Sequence, residues 1–571
     1  MFDRVTPRLA LAVFLAMFIA VPEIHTQDAS KMQLPADQRA FSEASAISDQ
    51  GQRLDAMVKA IESYPKSSRV FITQKYIFDT LIQYFPDRTS EIETQTRLIL
   101  KDEQAPLPKP FLEIYMASGL AEARGTGINL PLAEEMAKDA LSSYSSEDVF
   151  INEALGDAKK YHEPPPSMAL LHSDFISSRA GALATLSQIY LDQKRITLAT
   201  AKANEAYSLA PAMSEANLVK GELALKERKK REALDYFERA DVGGEVKSPW
   251  RETMMELYRG FHEGSEQNFV ADMDAQYNRL FPLPFAPEPH GSLTPRRTML
   301  LELFTGSACK PCAGADLALD GLLDTFSRNE LVVLAFDEHI PDPDPLTNPD
   351  SVARAAYYGI HNTPSFVLDG RRFAEDGGTR DHAEMVYKNC VRRVEAESAG
   401  ISSVQLNLTA NRDTEGIIHA DVAVSQKPDT ASGPSRSHLV TRVALVEDHV
   451  RYAGESGIRF HRMVVRALAH PSSKSDGQTD RSEVVFDPAS ISKELKAYLD
   501  QFEVRNETFG SVKFLSKDTN LDPSHLAVAA WVEDTDTHRV LQAAFTSLSR
   551  DASREGASLH AQTSHGAEQA R

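Results

Sequence analysis

Along residues 40 to 280, apolar positions recur every three or four residues with few β-branched runs, the period of helices that each bury one face. A repeat lies inside this stretch. Leu183, Leu186, Ser187, Tyr190, Ala199, Ala203, Ala206 and Pro211 follow the tetratricopeptide order of small and large residues, and one repeat length later stand Gly221, Ala224, Ala233, Phe237 and Ala240. The second copy has Asn217 and Lys220 where large residues are expected. Ala60 and Pro65 repeat the spacing of Ala206 and Pro211, which predicts degenerate helical pairs over the preceding residues as well. Small residues at these positions let paired helices pack closely, and each pair then buries its apolar face on the next.

The grammar changes at residues 281–297, a stretch with five prolines that predicts an extended linker, because proline fixes φ and cannot continue a helix. From 298 to 399, strand-like and helix-like runs alternate. Beyond 400 the period falls to two: Val404, Leu406 and Leu408, then Ile418, Ala420, Val422 and Val424, with further strands predicted over 439–446, 459–468, 482–486, 526–532 and 540–545. About seven strands with turns between them predict an all-β sandwich over 400–549. Residues 550–571 are polar and are expected to be a disordered tail.

The chain has 571 residues, too many for one hydrophobic core, and three folded units are expected. Its net charge of −20 repels phosphate backbones, so nucleic acid is not an expected partner. Near the start, Arg4 and Arg8 accompany thirteen apolar residues, Leu9 to Val21. That run is short for a spanning helix, so residues 1–27 are expected to be a signal peptide, with an uncleaved N-terminal anchor as the alternative and membrane contact only in that case. The expected location is extracytoplasmic, periplasmic or secreted, where disulfides persist.

Against a background of only three cysteines, Cys309 and Cys312 stand two residues apart behind the apolar run Met299 to Phe304. The pattern predicts a buried strand, a turn at Gly306 and a helix beginning at Cys309. A helix N-terminus favours the thiolate, so Cys309 is the expected nucleophile, with Lys310 adding a nearby cation; Cys312, one turn deeper, is the expected resolving thiol. Downstream, Thr363 and Pro364 precede a strand and a hairpin turn at Asp369 and Gly370. A cis bond at Pro364 would turn a backbone edge toward the thiols.

Other candidates read more plainly. Asp337, Glu338 and His339 invite a metal reading, but no spaced pair of histidines accompanies them, and a solvated loop is expected. Cys390 shares a helix face with Ala383, Val386, Tyr387 and Val394 and is expected in the core. His461 is expected to be a satisfied, partly buried histidine.

The runs "LLELFTGSACKPC" and "DPLTNPDSVARAAYYGIHNTPSFVLDG", with "RFHRMVVRAL" and "LAVAAWVEDTDTHRVLQAAF" beyond them, resemble an extracytoplasmic bacterial family in which an outer-membrane-protein-related thioredoxin domain precedes a β-sandwich. Together with the repeats, the expected chain is multidomain: an α-helical tetratricopeptide-like solenoid, then an α/β thioredoxin-like fold, then an all-β sandwich. The resemblance implies a thiol-disulfide oxidoreductase with Cys309 and Cys312 as its redox-active disulfide and Pro364 as the cis-proline; Thr363 and Lys310 are the expected client-contacting residues, and no bound cofactor is expected. The sequence departs from the pattern at two places. Leu303 stands where thioredoxins bury an acid, leaving Glu302 as the nearest candidate proton acceptor, and Ala308 stands where they often carry tryptophan.

Three functions follow as expectations. The first is an exported thiol-disulfide oxidoreductase that exchanges disulfides with cysteine-bearing client proteins and is reset by a recycling partner. The alternative is a non-catalytic interaction scaffold that uses the helical repeats and carries a redox-idle thioredoxin-like unit. A third is copper delivery through the two sulfurs.

Overall fold

The computed structural model describes residues 35–548 except 48, 103–104, 106–107, 123–126, 162–167, 245, 247, 289–296, 374–376, 427–437, 472–473, 476–478, 505–511 and 515. The expected signal peptide and the expected tail lie outside the described residues. Among the described residues, no helix is long and apolar enough to cross a membrane.

Among the described residues, thirteen α-helices come first: α1 (Ala36–Ser45), α2 (Gln50–Ser63), α3 (Val70–Tyr84), α4 (Thr89–Leu100), α5 (Lys109–Glu122), α6 (Leu130–Ser143), α7 (Glu147–Tyr161), α8 (Met168–Asp192), α9 (Ile196–Leu209), α10 (Ser214–Lys226), α11 (Lys230–Gly243), α12 (Trp250–Phe261) and α13 (Phe269–Leu280). Successive helices pair as the repeat pattern predicts, making this region tetratricopeptide-like. Ala199, Ala203 and Ala206 of α9 are fully buried, and Ser187 Oγ of α8 donates to the Ala199 carbonyl at 2.7 Å. Gly221 allows α10 to approach α11, since a Cβ there would lie 2.6 Å from the Phe237 ring.

The described first half of the expected linker, residues 281–288, is docked rather than free. Phe285 stacks on Tyr387, and the Glu288 N–H donates to the Tyr387 hydroxyl at 3.0 Å.

Next come β1 (Met299–Thr305), α14 (Cys312–Thr325), β2 (Leu331–Asp337), α15 (Pro349–Tyr358), β3 (Ser365–Leu368), β4 (Arg371–Phe373) and α16 (Ala383–Glu397). β1 pairs parallel with β2 and antiparallel with β3, with Leu301 opposite both Val333 and Leu368. Alternation along β1 serves two cores. Met299, Leu301 and Leu303 face α14 and α16, with Cys390 buried among them, whereas Leu300 and Phe304 point to the opposite side. Asn348 caps α15 by accepting from the Asp350 and Ser351 N–H groups, a contribution of about 1 kcal/mol. Asp369 and Gly370, both at positive φ, form the expected β3–β4 turn.

The C-terminal part consists of β5 (Val404–Arg412), β6 (Ile418–Gln426), β7 (Leu439–Glu447), β8 (Val450–Arg451), β9 (Phe460–His461), β10 (Val464–Ala469), β11 (Lys474–Ser475), β12 (Thr479–Phe486), α17 (Pro488–Val504), β13 (Leu526–Asp534) and β14 (Val540–Ser547). It corrects the expectation of a separate all-β sandwich after residue 400. One eight-stranded mixed sheet runs β14-β13-β7-β10-β2-β1-β3-β4, with β10 beside β2 through Val464 opposite Ala335. The sheet folds back so that the Ala543 N–H of β14 donates to the Thr298 carbonyl at 3.1 Å.

β13 and the second half of β7, from Val443, are buried on both faces for that reason. Ala444, Val446, Ala529 and Trp531 cover the Leu300/Phe304 side of β1, while Val443, Leu445, Val528 and Ala530 meet a second sheet ordered β11-β12-β6-β5. Nor is this part all β. Ile491, Leu495 and Leu499 lie one turn apart along α17 and bury that helix against the second sheet.

Candidate functional site

Cys309 and Cys312 form a disulfide at the junction of β1 and α14, with their Cα atoms 5.2 Å apart. The helix begins at Cys312, not at the expected Cys309, which sits in the preceding turn with its N–H bonded to the Gly306 carbonyl at 3.0 Å. Cys309 therefore lacks the helix-terminal position that was to favour its thiolate. Both cysteines are shut away from solvent, Cys309 at 1% and Cys312 at 0% exposure. Lys310 between them is half-buried.

The Thr363–Pro364 peptide bond is cis, as expected. Pro364 and Pro311 are neighbours across the site: a Cβ added to Gly377 would collide with the Pro311 carbonyl and with the Pro364 ring together. Thr363 Oγ1 donates to the Ile340 carbonyl at 3.0 Å, so its hydroxyl is occupied within the chain.

Glu302 is not the proton acceptor that the sequence suggested. It lies on the strand face opposite α14, fully buried, where Arg354 grips it at 2.7 Å (Nε to Oε1) and 3.1 Å (Nη2 to Oε2) and Tyr358 donates to it at 2.7 Å. Arg354 Nη1 also reaches Glu533 at 2.9 Å, and Arg442 meets the same carboxylate at 2.5 Å. Burial pushes the Glu533 carboxyl up, and the two guanidinium groups more than offset this, leaving it below its usual range. Alternation along β1 is the physical reason: adjacent residues of a strand cannot share a face.

The carboxylates beside the disulfide are others. Asp344 accepts from the Ser307 N–H and from the Leu346 N–H, the latter at 2.8 Å, and Asp316 Oδ1 accepts from Thr305 Oγ1 at 2.9 Å. Burial raises the Asp316 carboxyl to about 8, Thr305 opposes this and the Asp320 and Asp344 charges reinforce it; Asp344 is raised to about 6, also chiefly by burial. Asp337 is buried and its two oxygens make no hydrogen bond among the described residues; burial first, then Asp344, holds it well above the carboxylate range.

The run Asp337 to His339 is thus no solvated loop. Glu338 is buried and raised to about 8 by burial and Asp344, and His339 stacks 3.8 Å from the Phe502 ring of α17 with its imidazole lowered to about 4 by burial. The helix that covers this run was not expected. No group of three His, Cys, Asp or Glu side chains among the described residues has a geometry that could hold a metal ion.

Sequence reasoning missed Asp316, although its place four residues after Cys312 in a helix puts it on the same face. Nothing in the acidic, proline-rich run marked Asp344 as buried. His461 is buried with Nε2 3.0 Å from the Tyr452 carbonyl, and Cys390 is a buried core residue outside the disulfide, both as expected.

The fold and site together define a tetratricopeptide-like helical protein joined to a mixed-sheet unit that carries a covered CxxC disulfide. By sequence, the chain matches no family model and no curated protein. Among solved structures it is similar to HBP35 of Porphyromonas gingivalis, with TM-score 0.31 and 14% identity over 45% of this chain and 77% of that one. It is also similar to the pilF protein of Pseudomonas aeruginosa, with TM-score 0.17 and 18% identity over 41% of this chain and 94% of that one. A mutant O-GlcNAc transferase of Thermobaculum terrenum gives TM-score 0.18 and 15% identity over 44% and 41%. Scores this low assign no function to this chain.

Proposed function

We propose that the protein is an interaction scaffold: its helical pairs dock partner polypeptides, and its α/β unit, thioredoxin-like in its order of elements, holds the Cys309–Cys312 disulfide closed and idle. The observation that supports this reading is the burial of Cys309, at 1% exposure, because thiol–disulfide exchange needs the attacking group to reach a sulfur in line. The expected location remains extracytoplasmic.

The test is a trapping experiment on the full chain. C312A should accumulate no reductant-sensitive adducts in extracts, and the wild-type protein should leave insulin disulfides intact. A C309S/C312S double variant should crosslink to the same partner proteins as wild type, and deletion of 36–280 should abolish them. Adducts on Cys309, or partners lost with the sulfurs and kept without the helices, would overturn the scaffold reading.

One observation favours a second reading. Pro364 stands beside Pro311 in the CxxC turn, the relation expected where a client strand pairs next to a reactive disulfide. In that reading Cys309 attacks, Cys312 resolves, Thr363, Pro364 and Lys310 contact the client, and no cofactor is needed.

A further inference from the structure

Two segments from elsewhere in the chain lie over the disulfide turn. The first is Gly454–Arg459. Ser456 donates its N–H to the Ser307 carbonyl at 2.8 Å, Gly454 lies so close to Ser307 that a Cβ would collide, and Ile458 packs with Ala313 and Leu317 of α14. The second is Gly377–Thr379. Gly378 donates to the Pro311 carbonyl at 2.6 Å and accepts from the Gly314 N–H at 2.7 Å, while Gly377 sits against Pro364.

Both segments are tied to the helical region. Asp274 of α13 takes Arg459, the last residue of the first segment, at 2.7 Å, and Arg451 of β8, three residues ahead of that segment, at 2.6 Å. The second is held through Arg380, whose Nη2 donates to the Tyr277 hydroxyl of α13 at 2.9 Å, and through Asp381, which accepts from Ser173 Oγ of α8 at 2.7 Å. Tyr277 also meets Phe460 edge-on, with ring centres 5.8 Å apart, so a single helix face secures both.

We propose that the helical region is a latch: α8 and α13 hold a two-part roof over Cys309–Cys312, and access to the bond is set by whether those helix contacts are made. This rests on the closed-disulfide part of the reading above. Exposed ion pairs are weak, but Arg459 is buried, and separate segments fastened to one helix open together. A polypeptide that competed for the α13 face would release both. The segments would then part from the turn without unfolding the sheet beneath them.

The experiment follows reduction of the full-length protein by dithiothreitol, with alkylation and mass measurement of Cys309 and Cys312. The dithiol's thiolate attacks one sulfur, the Cys309–Cys312 bond breaks, the reagent leaves as its cyclic disulfide, and the protein gains two electrons and two protons. D274A should speed reduction at least roughly tenfold while the thermal midpoint of the sheet unit stays in place. R380A, which removes the α13 half of the second tie and leaves Asp381–Ser173 in place, should act in the same direction and decides the matter if D274A does not fold. Rates in both variants within about twofold of wild type would overturn the latch. A wild-type rate already equal to that in denaturant would instead sink the closed-disulfide reading itself.

Discussion

Glu302 and Arg354 form a two-pronged ion pair in full burial, at 2.7 and 3.1 Å, on the face of β1 turned away from the disulfide. The pair belongs to the structure of the sheet: Arg354 also binds Glu533 of β13 and so ties the α/β unit to the C-terminal strands.

Removing the shared cation strips the buried Glu302 of its guanidinium partner and leaves Glu533 to Arg442 and Trp531. R354A is expected to destabilise the sheet unit by about 3–5 kcal/mol. Urea unfolding followed by tryptophan fluorescence reads this directly, because the Trp531 indole donates to Glu533 at 3.1 Å.

Asp316 gives a pH dependence of defined sign. Its folded carboxyl is raised to about 8 by burial, so between the unfolded carboxylate range near 4 and about 8 the folded state binds more protons, and stability falls as pH rises. Asparagine mimics the protonated acid. D316N should therefore gain on wild type as pH climbs from 5 to 8, by up to roughly 1.4 kcal/mol per unit. Paired urea titrations across that range check it, and a constant difference would refute the raised carboxyl.

The shared core predicts the behaviour of a fragment. Residues 297–399 expressed alone would expose Leu300, Phe304, Leu334 and Phe336, which β7, β10, β13 and β14 cover in the full chain. The fragment is expected to be aggregated or poorly dispersed in a proton–nitrogen correlation spectrum, whereas 297–548 should give a folded one.

Gly221 tests the close approach of α10 and α11. A Cβ at that position meets the Phe237 ring at 2.6 Å, so G221V should cost about 1–3 kcal/mol in the helical region and leave the sheet unit's transition where it was. Differential scanning calorimetry separates the two.

The helical region was legible because its signal is local: Ala203, Ala206 and Phe237 announce close helix packing whatever surrounds them. The turn at Asp369–Gly370 and the proline after Thr363 were legible for the same reason. What stayed hidden depends on distant partners. The continuous apolar runs Ala444 to Val446 and Val528 to Trp531 say that both sides are apolar, but not that they serve two different cores. The side toward which Glu302 points follows from alternation, yet its partners Arg354 and Glu533 do not. Ile491, Leu495 and Leu499 carried a helical period inside a stretch otherwise dominated by strands. Burial of Asp337, Glu338 and Asp344 arises only when α17 and the later strands close over them.

The pairing of Val464 with Ala335, and the seating of Ser456 on Ser307, join early parts of the chain to much later ones. A chain delivered N-terminus first into an oxidising compartment presents the two sulfurs, and can have them oxidised, before the strands that flank β2 and the loop that encloses them have arrived. The covalent bond can therefore be set in a partly delivered intermediate, and arrival of the C-terminal part then seals it in.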